Sequence, residues 1–362
     1  MKKKILFLAM NLGSGGAERQ MITLARLMKK EGIEVSFLCY SEEDFYVHIL
    51  KEENIPVKWM VGDNYLMRMI KVRRFVRKGK FDTVISFLHT PNFLNNFSAI
   101  GGKNWKIITG ERSSNNSTFV SGKGKIFAWF QRYSDLIVCN SNNAKEMWKS
   151  YYPKYSDKLT TIYNPIILQN ITAEYMPKRN NKLNIVIAAS YQYLKNPKGL
   201  IEAINLMSNE EKQGIRIDWY GRKEVTTGNT QAYDETVGLI NRYDLGNIIY
   251  LHGETKDIAN KMQEADLVSL LSELEGLPNT ICEGMMIGKP IIMSRVSDYN
   301  VLVDESNGFL CDWDNHETIK DAILKASKLS VGELQELGKA SKEKAERLFS
   351  NEVIIKQWIN KI

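Results

Sequence analysis

The chain has 362 residues, of which 43% are hydrophobic and 10% aromatic, which is enough to build two domains with separate cores. Its four cysteines include no C-x-x-C pair and its four histidines have no metal-ligand spacing, so the sequence argues against structural zinc and favours a reducing, cytoplasmic location. No window approaches the roughly 20 apolar residues of a membrane-spanning helix, so any membrane contact is expected to be peripheral.

The first predicted element is a buried parallel strand at residues 3–10. The preceding lysines resemble a signal peptide, but the apolar run is too short and polar Asn11 follows it. A glycine-rich turn at residues 11–19 then leads into a helix expected at 17–30. Such a turn at a helix N-terminus suits a phosphate, although G-x-G-x-x-G is absent and the glycines alternatively serve only the turn.

The first half continues as alternating helices and strands, which predicts a doubly wound α/β domain. After one of these strands, His89-Thr-Pro-Asn92 is expected in a loop at the carboxyl edge of the sheet, where such folds bind ligands. His89 is therefore a candidate site residue, although a lone histidine is most often an ordinary polar residue. The further strands are predicted near residues 34–39, 57–61, 83–87, 106–109 and 136–139.

Residues 66–80 combine seven lysines and arginines with apolar positions at helical spacing and contain no acidic residue. One interpretation is an ordinary helix with a solvated charged face. The other is a surface attracted to anionic lipid headgroups or to a lipid-linked acceptor. A second basic and aromatic stretch lies at residues 123–132, and neither stretch belongs to a recognisable nucleic-acid-binding module, so no nucleic-acid partner is expected.

The alternation of strands and helices is interrupted near Pro165, where we place the domain junction. A new series of strand, loop and helix then begins. The second half is predicted to be another α/β unit with strands at residues 182–189, 216–220 and 248–251. Two cations follow strands of this half, Lys195 and Arg222, and in such loops they could meet a diphosphate. Surface cations of this kind usually stay solvated.

The most informative stretch is residues 275–283, which read Glu-Gly-Leu-Pro-Asn-Thr-Ile-Cys-Glu between two apolar strands. Pro278 suits the first position of a helix and Gly288 the residue after its end, which predicts a helix at 278–287. Its N-terminus is a natural phosphate site, with Glu275 in the loop beside it and Glu283 inside the helix.

Two α/β halves joined near residue 165, with a Glu-x7-Glu element in the second half, resemble the retaining glycosyltransferases of family 4, which have the GT-B fold. The resemblance spans essentially the whole chain, and supporting motifs lie at residues 11–19, 87–92, 162–165 and 307–310. It implies two Rossmann-like domains facing a cleft and a last helix that crosses back to the first domain, where Trp358 would pack. The implied division is an acceptor-binding domain at 1–165, a nucleotide-sugar-binding domain at 166–345 and the returning helix at 346–362.

The resemblance also implies roles for individual residues. Glu283 would bind the ribose of a nucleotide-sugar, and His89 would contact the sugar near its reacting face. The family's usual arginine is replaced by Ser190, so Arg222 is a substitute for the missing charge. The remaining positions would hold the donor sugar and its diphosphate, namely Gly15, Gly16, Lys195, Glu275, Gly276, Leu277, Pro278 and Asn279.

The expected reaction is transfer of a hexosyl group from a UDP- or GDP-sugar to a glycan or lipid-linked oligosaccharide in bacterial surface polysaccharide assembly. No cofactor or metal is expected, because there is no Asp-x-Asp signature and amides, a helix dipole and Lys195 can stabilise the leaving diphosphate. Retention through front-side attack is implied by the family. The alternatives are a GT-B sugar-nucleotide epimerase, a non-catalytic nucleotide-sugar-binding subunit and an NAD-dependent oxidoreductase, the last disfavoured by the absent G-x-G-x-x-G.

Overall fold

The structure is a computed structural model that describes residues 2–13, 15–62, 64–112, 117–168, 171–224 and 228–362, with only the backbone of residues 117, 118 and 180. The chain divides into two compact units. The first comprises Met1–Ile167 together with Ser350–Ile362, and the second comprises Leu168–Phe349. The sequence placed the corresponding boundaries at residues 165 and 345.

The first unit contains a seven-stranded parallel sheet in the order β3-β2-β1-β4-β5-β6-β7. The order runs outward in both directions from the β1–β4 pair, which is the doubly wound arrangement. The strands are β1 (Lys4–Ala9), β2 (Glu34–Cys39), β3 (Val57–Trp59), β4 (Thr83–Phe87), β5 (Lys106–Glu111), β6 (Leu136–Cys139) and β7 (Leu159–Thr161). The helices are α1 (Gly16–Lys30), α2 (Val47–Glu52), α3 (Tyr65–Lys78), α4 (His89–Ser98), α5 (Ser117–Val120), α6 (Gly122–Phe130) and α7 (Asn142–Tyr151).

The second unit repeats the plan with a six-stranded parallel sheet in the order β10-β9-β8-β11-β12-β13. Its strands are β8 (Leu183–Ala188), β9 (Ile215–Tyr220), β10 (Ile249–His252), β11 (Leu267–Leu270), β12 (Ile291–Ser294) and β13 (Gly308–Cys311). Its helices are α8 (Pro197–Asn205), α9 (Asn209–Gln213), α10 (Gln231–Arg242), α11 (Ile258–Glu264), α12 (Asn279–Ile287), α13 (Tyr299–Leu302), α14 (His316–Lys328) and α15 (Val331–Phe349). The prediction of two Rossmann-like domains is therefore confirmed.

After Lys4, β1 reads as a continuous apolar run because both faces of this strand are covered by hydrophobic clusters. On β1, Ile5 and Phe7 belong to one hydrophobic cluster, while Leu6 and Leu8 belong to the cluster on the other face. All four side chains are at most 1% exposed. A strand buried on both faces has no polar alternation, which is why its position could be predicted from composition alone.

The last helix, α16 (Asn351–Ile359), packs in the first unit rather than in the second. Trp358 is 1% exposed, and its ring lies 6.3 Å from that of Phe87 at the end of β4. The helix also contacts α1. The predicted return of the C-terminal helix and the packing role of Trp358 are confirmed. Within the described ranges, no helix has the length and apolar character needed to span a bilayer.

Two local predictions are wrong. His89–Asn92 were expected in a loop, but α4 begins at His89, because Leu88 alone, at a φ of 69°, connects β4 to the helix. Pro91 is tolerated as the third helical residue, where no intrahelical N–H bond is lost. In the second unit, α12 begins at Asn279, and Pro278 precedes it with a non-helical ψ of 82°. Gly288 follows the helix at a φ of 86°, as its position predicted.

Candidate active site

A compact polar cluster lies at the carboxyl edge of the second sheet, in the loop after β11. Lys195 Nζ donates to Glu275 Oε1 at 2.5 Å, and Ser272 Oγ donates to the same oxygen at 2.7 Å. The two charged side chains are only 19% and 11% exposed. The loops themselves are joined as well, since the Glu273 amide donates to the carbonyl of Leu194 at 2.9 Å. A paired carboxylate and ammonium are thus fixed beside the start of α12.

The start of α12 is anchored from both sides. Thr280 Oγ1 donates to the carbonyl of Ala188 at the end of β8, at 2.8 Å, and the Ser297 hydroxyl donates to the carbonyl of Gly276. Deeper in the helix, a Cβ on Gly284 would lie 2.9 Å from the side chain of Val268 on β11, so glycine permits this close packing. The helix N-terminus is therefore held rigidly where its amides can meet an anion.

The predicted donor-binding residues occupy this helix start in different ways. Leu277 and Pro278 are buried and support the turn, whereas Gly276 and Asn279 are half-buried at the rim. Glu283, also half-buried, is the fifth residue of α12, so it stands about one turn beyond the helix start and apart from Glu275 in the loop.

Arg222, predicted as a substitute for the family's missing arginine, lies exposed just after β9. Its carbonyl accepts the Tyr191 amide at 3.0 Å, which joins its loop to the loop that follows Ser190. Gly221 makes this approach possible, because a Cβ there would lie 1.9 Å from the carbonyl oxygen of Ala189. The structure thus brings the two loops together, while the side chain of Arg222 remains in solvent.

In the first unit, Gly15 and Gly16 are exposed at the start of α1. A Cβ on Gly16 would meet no described atom within 4 Å, so packing does not require glycine at this position. A Cβ on Gly15 would lie 2.1 Å from Glu18 Oε2, and burial together with Glu43 raises the pKa of the Glu18 carboxyl. Position 14 of the same motif lies outside the described residues. An anion at this helix start would therefore meet bare backbone with an acidic side chain close by.

His89 is the first residue of α4, at the carboxyl edge of the first sheet. It is half-buried, and its ring lies 6.4 Å from that of Phe127 in a stacked orientation. Burial lowers the pKa of the imidazole, and the charge of Lys123 lowers it further. Both effects favour the neutral imidazole, in which one ring nitrogen accepts a hydrogen bond and the other donates one.

Sequence reasoning missed several polar groups that the structure places around these residues. Ser272 received no assignment, since it follows the predicted strand, and Thr280 was only a position within the predicted helix. Glu111 and Asn92 form a buried network beside His89. The available signal was a polar residue at the end of an apolar strand, which applies to Ser272 and to Glu111 at the end of β5.

Comparisons with known proteins show the class to which the chain belongs. Residues 14–170 match the family model "Glycosyltransferase Family 4", and residues 172–344 match the model "Glycosyl transferases group 1". An uncharacterized glycosyltransferase of Haemophilus influenzae is 26% identical over 325 residues, covering 87% of this chain and 88% of that protein. A Campylobacter jejuni alpha-1,4-N-acetyl-D-galactosaminyltransferase, whose name specifies a PP-undecaprenol-linked acceptor, is 25% identical over 346 residues, covering 91% and 88%.

The same fold is found in solved structures. The structure of HepE from Anabaena in complex with UDP and glucose superposes with a TM-score of 0.83 at 18% identity, covering 99% of each chain. The HepE complex with UDP alone gives a TM-score of 0.85 at 18% identity, covering 100% of this chain and 99% of that one. With both of its units matched by glycosyltransferase family models, the chain is a glycosyltransferase with the GT-B fold.

Proposed function

We propose that this protein is a retaining, metal-independent hexosyltransferase that moves a sugar from a UDP- or GDP-sugar to a glycan or lipid-linked oligosaccharide. The observation that carries the proposal is the Lys195–Glu275 pair beside the start of α12. Departure of a nucleoside diphosphate develops negative charge, and a fixed ammonium with helix amides can stabilise that charge without a metal. The names of relatives support the acceptor class, since one acts on a PP-undecaprenol-linked glycan and another is a diphosphoundecaprenol galactosyltransferase.

Within this proposal, the second unit holds the donor. Glu275 and the loop through Asn279 bind the sugar and diphosphate, Glu283 binds the ribose, and Arg222 adds a positive charge for the diphosphate. In the first unit, neutral His89 contacts the transferred sugar, and Gly15 and Gly16 allow backbone to approach the diphosphate. The acceptor hydroxyl attacks from the front side, while a donor phosphate oxygen takes its proton. The product keeps the anomeric configuration of the donor.

The donor test is release of nucleoside diphosphate from a panel of UDP- and GDP-sugars. We expect Glu283→Ala to raise the KM for the donor roughly 10- to 100-fold, because hydrogen bonds to a charged group contribute about 1.5–3 kcal/mol. Glu305→Ala removes an exposed carboxylate of the same unit and is expected to leave the donor KM unchanged. Absence of turnover with every donor, or equal effects of the two variants, would contradict the proposal. Conversion of a nucleotide-sugar without any acceptor would instead indicate an epimerase.

The proposed location is the cytoplasmic face of the membrane, with contact through α3. Two arginines of this helix bind backbone carbonyls of the same unit. Arg73 donates to the carbonyls of Ser98 at 2.9 Å and Ile100 at 2.7 Å, and Arg77 donates to the carbonyl of Gly102 at 2.6 Å. These two side chains therefore bind the end of α4 and the loop after it.

A different face of α3 presents cations toward a groove of about 640 Å³ beside the edge strand β3. Lys71, Arg74 and Lys78 line it, together with Lys58 and the ring of Trp59, and no acidic residue is among the lining residues described. Exposed apolar side chains precede these cations along the helix, with Leu66 at 66% and Ile70 at 44% exposure. Cations next to exposed apolar groups are typical of a surface that meets anionic lipid.

We expect the triple variant Lys71→Ser, Arg74→Ser, Lys78→Ser to bind phosphatidylglycerol vesicles roughly 100-fold more weakly in co-sedimentation. Each cation near an anionic surface contributes about 1 kcal/mol. A matched triple variant at three exposed lysines of the second unit, Lys198, Lys325 and Lys339, loses the same charge and is expected to bind normally. Equal losses would show that only net charge matters, and an unchanged α3 variant would show that this face is merely solvated.

A further inference from the structure

The turn between β4 and α4 is strained. Leu88 adopts a φ of 69° and a ψ of 161°, a region of backbone conformation that is populated almost only by glycine. Such strain persists where surrounding contacts determine the conformation, and it is concentrated at functional sites. His89 is the next residue in the chain, so its placement depends directly on this turn.

Asn92 holds the turn from within the first turn of α4. Its amide donates to the carbonyl of Leu88 at 3.0 Å. Its side chain accepts a hydrogen bond from Ser86 Oγ at 2.9 Å and donates to the carbonyl of Gly110 and to Glu111 Oε1, both at 3.1 Å. Asn92 is 2% exposed, and these bonds tie the helix start to the ends of β4 and β5.

Glu111 is the charged member of this network, and it is 3% exposed. The oxygen that binds Asn92 also accepts a hydrogen bond from Gln131 Nε2 at 3.2 Å. Gln131 is in turn fixed by three further side chains, Thr109, Ser134 and Asn96. Burial of the carboxyl raises its pKa to about 7, so the charged form is costly here.

The neighbouring cation is directed elsewhere. The Arg112 guanidinium donates to Asn164 Oδ1 at 2.9 Å and lies 3.8 Å over the ring of Phe87. The side-chain hydrogen bonds to the Glu111 carboxyl come from the neutral donors Asn92, Gln131 and Trp148, while the charge of Arg112 acts on it without a hydrogen bond. A glutamine oxygen can accept the bonds from Asn92 and Gln131. A buried carboxyl whose charged form is disfavoured by burial, next to a candidate site residue, points to a role in function.

Glu111 and His89 also border the same narrow cavity. Its volume is about 10 Å³, which is room for roughly one water molecule, and its walls include Phe127 and Trp148. Asn92, which also borders this cavity, binds Glu111 through its side chain and the Leu88 carbonyl through its backbone amide.

We propose that Glu111 is a positioning residue for His89, acting through Asn92 to fix the strained Leu88–His89 turn and hence the direction of the imidazole. The proposal rests on the proposed function in one respect, since it assumes that His89 takes part in sugar transfer.

The first test needs no substrate. The chain has four histidines, so selective ¹³C labelling at Cε1 gives four resonances in a proton–carbon NMR spectrum. Glu111→Gln is expected to move the His89 resonance and its titration midpoint, while His48, His252 and His316 stay in place. Glu34→Gln is the control, because it makes the same change at an exposed carboxyl at the start of β2, outside this network. An unmoved His89 resonance in Glu111→Gln would overturn the proposal.

The second test is a double-mutant cycle on kcat. We expect Glu111→Gln to lower kcat roughly tenfold with little change in the donor KM. In the His89→Ala background, the same change is expected to lower kcat less than twofold, because the residue that it positions is gone. Equal losses in both backgrounds, or full activity of His89→Ala, would overturn the proposal.

Two outcomes need a second measurement, namely a Glu111→Gln variant that does not fold and a wild-type chain without turnover. If Glu111→Gln does not accumulate as folded protein, Asn92→Ser breaks the same link from the helix side and is expected to give the same pattern. If the wild-type chain turns over no nucleotide-sugar, the proposed function fails, whereas the NMR test still decides whether Glu111 positions His89.

Discussion

Lys195→Met is expected to slow release of nucleoside diphosphate by roughly 10²- to 10³-fold, the usual cost of removing one preorganised group that stabilises developing negative charge. Most of the loss should appear in kcat rather than in the donor KM, because charge on the diphosphate grows as the bond to the sugar breaks. Single-turnover kinetics with the donor found in the screen would measure this step.

The chain offers a matched control three residues away. Lys198 is exposed near the start of α8, so Lys198→Met removes the same charge without touching the site and should leave kcat unchanged. Since Lys195 and Glu275 contact each other at 2.5 Å, we expect Lys195→Met and Glu275→Gln to be strongly non-additive. A Lys195→Met variant with lowered thermal stability but nearly normal kcat would show that the pair only ties two loops together.

The second large effect is on stability. We expect Glu111→Gln to gain about 2–3 kcal/mol of unfolding free energy relative to the wild type as the pH rises from 5 to 8. The pKa of Glu111 is about 7 in the folded chain, against 4.5 for a glutamate carboxyl in water, which represents the unfolded chain. The folded state therefore holds a proton that the unfolded state releases, and wild-type stability is lost as the pH rises between these two values. Glutamine does not titrate, so this position does not lower the unfolding free energy of the variant as the pH rises.

Denaturant unfolding of both proteins at several pH values would measure the difference. Among the described residues, Arg112 on its own strand and Cys139 opposite it on β6 interact with Glu111, and His89 on α4, with Lys123 near it, borders the same cavity. Because His89 is an imidazole beside the same cavity, Glu111→Gln combined with His89→Ala separates its contribution from that of Glu111 and should keep the pH-dependent gain. A gain that is the same at pH 5 and pH 8 would contradict the raised pKa.

Composition and spacing were sufficient to predict the elements that are buried on both sides. β4 and β6 were predicted with their observed bounds, because parallel strands covered by helices on both faces are rich in apolar and β-branched residues. The end of α12 was also predictable, because the left-handed conformation of Gly288 just after the helix is a local property of the chain. These features depend on neighbours in sequence.

The features that could not be predicted depend on neighbours in space. The periodicity of α3 showed a basic helix, but it could not show that Arg73 and Arg77 would find the carbonyls after α4, since that depends on how the two helices pack. Leu88 offered no signal for a positive φ, because leucine rarely adopts one. The contact between Lys195 and Glu275 joins residues 80 positions apart and follows from the register of β8 beside β11.

The position of α16 sets an order of events during synthesis. Residues 350–362 complete the hydrophobic cluster of the first unit, in which Ile354, Ile355 and Trp358 are buried beside β1 and α1. Folding on the ribosome normally proceeds domain by domain from the N-terminus. Here the first unit stays without part of its core until the entire second unit has been translated, so the domain made first is finished last.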